Sequence, residues 1–122
     1  MGSFRSLRVW QIALDLTGDV YSITQKGEIL KDFGLKDQMR RSAVSIASNI
    51  AEGVELGSDK LTIRHFKIAR GSTAELITQL IIAQRAGYLS QEEAEPLIET
   101  CGKIGATLNK LISIRQNEER MQ

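Results

Sequence analysis

The chain has 122 residues, enough for one domain that buries a core without disulfides or metal. Hydrophobic residues make up 42% and charged residues 25%, so neither a disordered chain nor a membrane-resident one is expected. The formal net charge of +1 gives no global attraction for nucleic acid or membranes, and any such role must come from a local patch.

The first predicted helix runs from about residue 6 to 25. One stripe holds Trp10, Ala13, Leu14, Thr17, Tyr21 and Thr24, and beside it lie Val9, Ile12, Leu16, Val20 and Ile23. So much apolar circumference predicts burial on two sides and hence self-association. The second stripe, together with Ile77, Ile81 and Ile82 of the third helix, is the expected interface between copies. No apolar run is long enough to span a bilayer, and the segment MGSFRSLRVW has no hydrophobic signal region, so a cytoplasmic protein is expected.

Residues 26–34 read as a connector, with Phe33 expected to plug one end of the core. The second helix, predicted over 35–54, presents two faces at about 100° per residue. Leu35, Met39, Ala43, Ile46 and Ile50 form the core face. Gln38, Arg41, Ser42, Ser45, Asn49 and Glu52 form the other. Serine and asparagine compete with the backbone for hydrogen bonds and need a reason to sit in mid-helix. That face is therefore expected to pack against a helix, a second subunit or a ligand.

The third helix is predicted over 59–86, capped by Ser58 or Asp59. Lys60, Arg64, Lys67 and Arg70 carry four positive charges with no carboxylate between residues 60 and 74. Lys60, Arg64 and Lys67 fall within about 60° of one another. With neighbouring Arg40 they form the candidate nucleic-acid surface. No aromatic residue interleaves the row, which points to phosphate contact rather than base stacking. Leu76 to Ala83 is apolar nearly all round. Gln38, Arg41, Ser45, Asn49, Glu52, Ser72 and Glu75 form an expected polar network that fixes helix register, with a polar ligand groove as the sharper alternative.

The fourth helix is predicted over 91–115, opening on a Ser90/Glu93 capping box. Pro96 implies a kink or delayed start, and residues beyond 115 are expected to fray. Leu97, Cys101, Ile104, Leu108, Leu111 and Ile112 form its core stripe. The pattern gives an all-α, antiparallel up-down-up-down four-helix bundle in one domain. No Glu-x-x-His pair suggests a di-metal site and no glycine loop suggests a nucleotide site. Cys101 and His65 are the sole cysteine and histidine, with no sign of pairing. No cofactor, metal or catalytic activity is expected.

Several segments together resemble a known family. These are Leu7-Arg8-Val9-Trp10-Gln11, Phe33-Gly34-Leu35, Arg40-Arg41-Ser42-Ala43-Val44-Ser45-Ile46, Asn49-Ile50-Ala51-Glu52-Gly53, and Ala69-Arg70-Gly71-Ser72 with Glu75-Leu76. They resemble the bacterial four-helix bundle proteins related to the product of the intervening sequence in large-subunit ribosomal RNA genes. Ala47, where many relatives have proline, and Pro96 depart from the pattern. The resemblance implies a homopentameric ring. It also implies kinship with the accessory bundle protein of diversity-generating retroelements, whose partners are nucleic acid and a reverse transcriptase. The leading expectation is therefore a scaffold that pairs with itself and binds RNA or single-stranded DNA, with a nucleic-acid-processing protein as a further expected partner. The competing one is a protein-interaction adaptor whose polar stripe serves assembly alone.

Overall fold

In the computed structural model, which describes residues 3–121, four helices form the bundle: α1 (Arg8–Ile23), α2 (Phe33–Leu56), α3 (Asp59–Arg85) and α4 (Gln91–Arg120). A 3-10 turn over Phe4–Ser6 precedes α1 and another over Glu28–Lys31 precedes α2. Among the described residues no helix is long and apolar enough to cross a membrane.

Each long helix starts on a side-chain cap. Asp32 Oδ1 accepts from the Leu35 amide at 3.1 Å, which sets the start of α2 two residues before the predicted one. Ser58 Oγ accepts from the Leu61 amide at 3.2 Å and starts α3. Gly57 ends α2 at φ 76°, a left-handed conformation that a side chain resists, so the chain reverses within residues 57 and 58.

The capping box of α4 is complete: Glu93 donates its amide to Ser90 Oγ at 3.1 Å, and the Ser90 amide donates to Glu93 Oε1 at 3.0 Å. Accepting that backbone amide holds the Glu93 carboxyl below its ordinary value of 4.5. A carboxylate with a depressed folded-state pKa contributes stability above that ordinary value and loses it as pH falls through the folded one. Ser90→Ala is expected to cost about 1 kcal/mol in urea denaturation. Glu93→Gln is expected to lessen the loss of stability between neutral and acid pH; equal pH dependence in both proteins would contradict the box.

Pro96 lies inside α4 without delaying its start, because the box anchors the first turn. The end of α4 is also not frayed at residue 115. Arg115 Nη1 reaches Asp59 Oδ1 at 3.0 Å, tying the last turns to the start of α3, and the helix continues to Arg120.

Cross-helix contacts give the helix directions. Along α2 the residues Gly53, Asn49 and Ser45 meet Thr62, His65 and Ser72 of α3, so rising numbers on one helix meet falling numbers on the other. Arg115 and Asn109 of α4 meet Asp59 and Arg70 of α3 in the same opposed order.

The core joins Leu16, Met39, Ile46, Ile50, Leu76, Leu80, Ile104 and Leu108, all essentially inaccessible. Burial of each such side chain stabilises the fold by about 1.5–3 kcal/mol. Ile29, on the second 3-10 turn, closes one end. Phe33 does not: it is 72% exposed, with Lys36 Nζ 4.8 Å above its ring.

Both apolar stripes of α1 contribute to this packing: from the first, Ala13 and Thr24 are fully buried and Trp10 packs against the core. Val9, Leu16 and Val20 are buried in the protomer's own core, and Ile12 and Ile23 pack partly against it. The first three are thus spent on that core, while Ile12 and Ile23 keep part of their surface open. Leu14 and Tyr21, from the other stripe, face outward. In α3, Leu76, Gln79, Leu80 and Ala83 are inside, Ile77 is half-buried, and Ile81 and Ile82 are exposed.

Candidate nucleic-acid interface

The outer face of α3 follows from the helical repeat. With Thr62, Phe66, Ala69 and Thr73 turned inward, Lys60, Arg64 and Lys67 are left on the opposite side, all exposed. Among the described residues none of these three cations has an ion-pair partner within the protomer. Like charges three and four residues apart on a helix repel by a few tenths of a kcal/mol per pair, roughly. The row is thus mildly unfavourable in the isolated protomer.

Arg70 and Arg40 stand apart from this row. Arg70 Nη1 turns toward α4 and donates to Asn109 Oδ1 at 2.8 Å. Arg40 sits in the α1/α2 junction, where its Nε donates to Thr24 Oγ1 at 2.9 Å and its guanidinium lies 4.5 Å from the centre of the Tyr21 ring. It projects from the α1 side of α2, so its nearness in sequence to the other polar residues of α2 does not bring it to the α3 face.

Between α2 and α3 runs a polar seam. Ser45 Oγ and Ser72 Oγ are 2.9 Å apart, and Asn49 Nδ2 donates to the Ser45 carbonyl at 2.9 Å and to Ser45 Oγ at 3.2 Å. Since the Asn49 nitrogen is spent on these acceptors, its Oδ1 must accept. His65 Nδ1, 2.9 Å away, therefore carries a proton and donates. Glu52 Oε2 lies 3.5 Å from the same nitrogen. The side chain of His65 is 16% exposed, whereas Glu52 is open to solvent.

The seam thus holds Ser45, Asn49, Glu52 and Ser72, together with His65, which the sequence reading left out. Gln38, Arg41 and Glu75 are not in it. Arg41 pairs with Asp37 at 2.8 Å on the surface, one turn away. Gln38 and Glu75 flank a shallow groove farther along the same pair of helices. A lone histidine offers no periodicity to read, and only the antiparallel register of α2 and α3 brings it to Asn49.

Below the seam the helices come unusually close. Thr62 Oγ1 donates to the Gly53 carbonyl at 2.6 Å, and a Cβ at Gly53 would lie 2.8 Å from Phe66 Cε1. Gly53 is required by this approach.

Cys101 is fully buried in the core of α4, and burial pushes its thiol up to about 12. A protonated, enclosed thiol is a packing group rather than a nucleophile. Among the described residues no cluster of three His, Cys, Asp or Glu side chains is placed to hold a metal ion. The arrangement offers a cationic row for a polyanion and an internally satisfied seam.

Comparison with known proteins agrees with the architecture. A family model described as 23S rRNA-intervening sequence protein matches residues 5–110. A crystal structure from Bacteroides thetaiotaomicron, described as a protein with unknown function from the S23 ribosomal protein family, superposes with a TM-score of 0.78 at 24% sequence identity. The match covers 85% of this chain and 97% of that one, and shows the shared fold. Neither description names a catalytic activity. No curated protein matches the chain.

Proposed function

The chain belongs to the 23S rRNA-intervening sequence protein family, and from that premise we propose a non-enzymatic, cytoplasmic scaffold that assembles with itself, as a pentamer, and contacts RNA or single-stranded nucleic acid through Lys60, Arg64 and Lys67. The observation that carries this reading is the exposed row of cations on one face of α3, which among the described residues has no ion-pair partner. Seven residues of helix span about 10 Å, the reach of roughly three phosphates along a strand. A polyanion converts the mutual repulsion of the row into attraction. Repetition of the row in each copy multiplies the field.

Filter binding of labelled RNA tests the surface. The double substitution Arg64→Glu and Lys67→Glu is expected to abolish retention while sedimentation and helicity stay unchanged. For the unaltered protein, three phosphate contacts per protomer predict a salt slope of about −2 for each protomer engaged, on single strands. Retention that survives the double substitution rejects this face. A protein partner recovered after nuclease treatment, with no RNA retained at any salt, favours the adaptor reading.

A further inference from the structure

Gly71 stands in the middle of α3, where glycine disfavours helix, and nothing lies within 4 Å of the place its Cβ would take. Packing inside the protomer does not call for it. Spaced three or four residues apart from Lys67 onward, Gly71, Glu75, Thr78 and Ile82 continue the outward stripe of the cation row, and all are exposed. The stripe thus passes from the row over bare backbone into the shallow groove between α2 and α3, whose walls include Gln38, Glu75, Gln79 and Ile82. Gln79 is 8% exposed, and its Oε1 is the one buried side-chain oxygen or nitrogen among the described residues without a hydrogen-bond partner. A buried acceptor left unpaired costs free energy that a donor arriving in the groove removes. The terminal amide torsion of glutamine is soft, so a turn of the amide offers that oxygen to the groove.

The row and the groove differ in chemistry. No carboxylate lies between residues 60 and 74, and Glu75 ends that stretch. Phosphates are drawn to the row and repelled at Glu75, so a strand that crosses Gly71 meets the groove with a base rather than its backbone. The groove offers acceptors: the two carboxylate oxygens of Glu75 and, one helical turn on, Gln79 Oε1. Guanine alone among the four bases presents two adjacent N–H donors on its Watson–Crick edge, at N1 and at the N2 amine. Adenine and cytosine present one amine beside an acceptor nitrogen, and uracil one N–H between two carbonyls, which a carboxylate repels. We propose that the groove reads a guanine of a single strand held on the cation row. Glu75 accepts from N1–H and N2–H, Gln79 Oε1 accepts the second N2 hydrogen, and Ile82, 49% exposed, covers a ring face. Lys67 and Glu75 are about 12 Å apart along the helix, a distance that a short stretch of single strand spans. This rests on the RNA-contact part of the proposed function and is independent of subunit number.

Fluorescence anisotropy on the full chain tests the groove with three short single-stranded RNAs: an oligouridine, the same strand with a central guanosine, and the same strand with inosine, which lacks the N2 amine, in that place. The guanosine strand is expected to bind about 10-fold tighter than the oligouridine, the worth of one bidentate pair, and inosine to lose most of that gain. Glu75→Gln, which removes one acceptor oxygen, is expected to bring the guanosine and uridine strands together in affinity. Gly71→Leu is expected to raise the melting temperature, since leucine is the better helix former and has open space, yet to weaken binding of the guanosine strand. A glycine without a role in binding would leave that affinity unchanged. Equal affinity for the guanosine and uridine strands, or a preference that Glu75→Gln leaves intact, overturns the guanine pocket while salt-dependent binding still upholds the α3 row. Failure of every strand to bind removes the RNA reading and the pocket with it. An arginine-rich peptide held by the unaltered chain and released by Glu75→Gln, with no preference for guanosine, would assign the groove to a protein ligand instead.

Discussion

Replacing Leu80 with alanine is expected to lower the unfolding free energy by about 3 kcal/mol, the middle of the range for emptying a fully enclosed aliphatic site. Leu80 has no accessible surface and lies on the inward stripe of α3, the helix that contacts both α2 and α4 most extensively. Helices tied by caps and seam contacts collapse only partly into the space left, so both the transfer loss and the cavity loss are felt. Small domains have roughly 5–15 kcal/mol in total, so this one truncation removes a large share. Thermal melting is expected to drop by roughly 10 °C. Guanidinium denaturation checks the value; a loss under about 1 kcal/mol would mean that the bundle relaxes far more easily than its packing implies.

Gly53→Val is expected to cost about 2 kcal/mol even though it replaces a poor helix former. Removing a mid-helix glycine ordinarily gains up to about 1 kcal/mol. Here the added Cβ meets two ring atoms of Phe66, at 2.8 and 2.9 Å, and that ring is itself 3% exposed and held in the core. The helices cannot part freely to make room, because the Thr62 hydroxyl is bonded to the carbonyl of the same glycine. Overpacking therefore outweighs propensity. A double-mutant cycle with Phe66→Leu should show coupling: the valine should cost less once the ring is gone. Strict additivity would place the clash elsewhere.

Much of the architecture was readable from residue pattern, for reasons that differ by element. The stripe Met39, Ala43, Ile46 and Ile50 recurs at helical spacing and lands in the core, and Ser90 with Glu93 is a local signal that closes as written. The serines and asparagine of α2 pointed to a packed polar face because such residues are poor choices for open helix. What pattern alone left undecided concerns relations between helices. α1 has two adjacent apolar stripes, and periodicity cannot say which members of each turn inward: Ala13, Leu16, Val20 and Thr24 are enclosed, while Leu14 and Tyr21 are not. Arg40 was grouped with the α3 cations as a neighbouring positive charge, yet its direction around α2 sends it to Tyr21 and Thr24. His65 entered the seam through a contact sixteen residues away. The persistence of α4 past residue 115 depends on Asp59, fifty-six positions earlier, which no local tendency encodes.

The unequal lengths of the helices have a dynamic consequence. At about 1.5 Å per residue, the 16 residues of α1 reach only about half as far as the 30 of α4. Short 3-10 segments meet the remaining length of the α2–α3–α4 stack, one carrying the buried Ile29 and the other bordering a pocket shared with Val54, Phe66 and Leu111. α1 also shares far fewer contacts with its neighbours than those three helices share among themselves. Partial unfolding should therefore begin with α1 and its flanking turns detaching as one cooperative unit, while amides of the three longer helices stay protected until the whole chain opens.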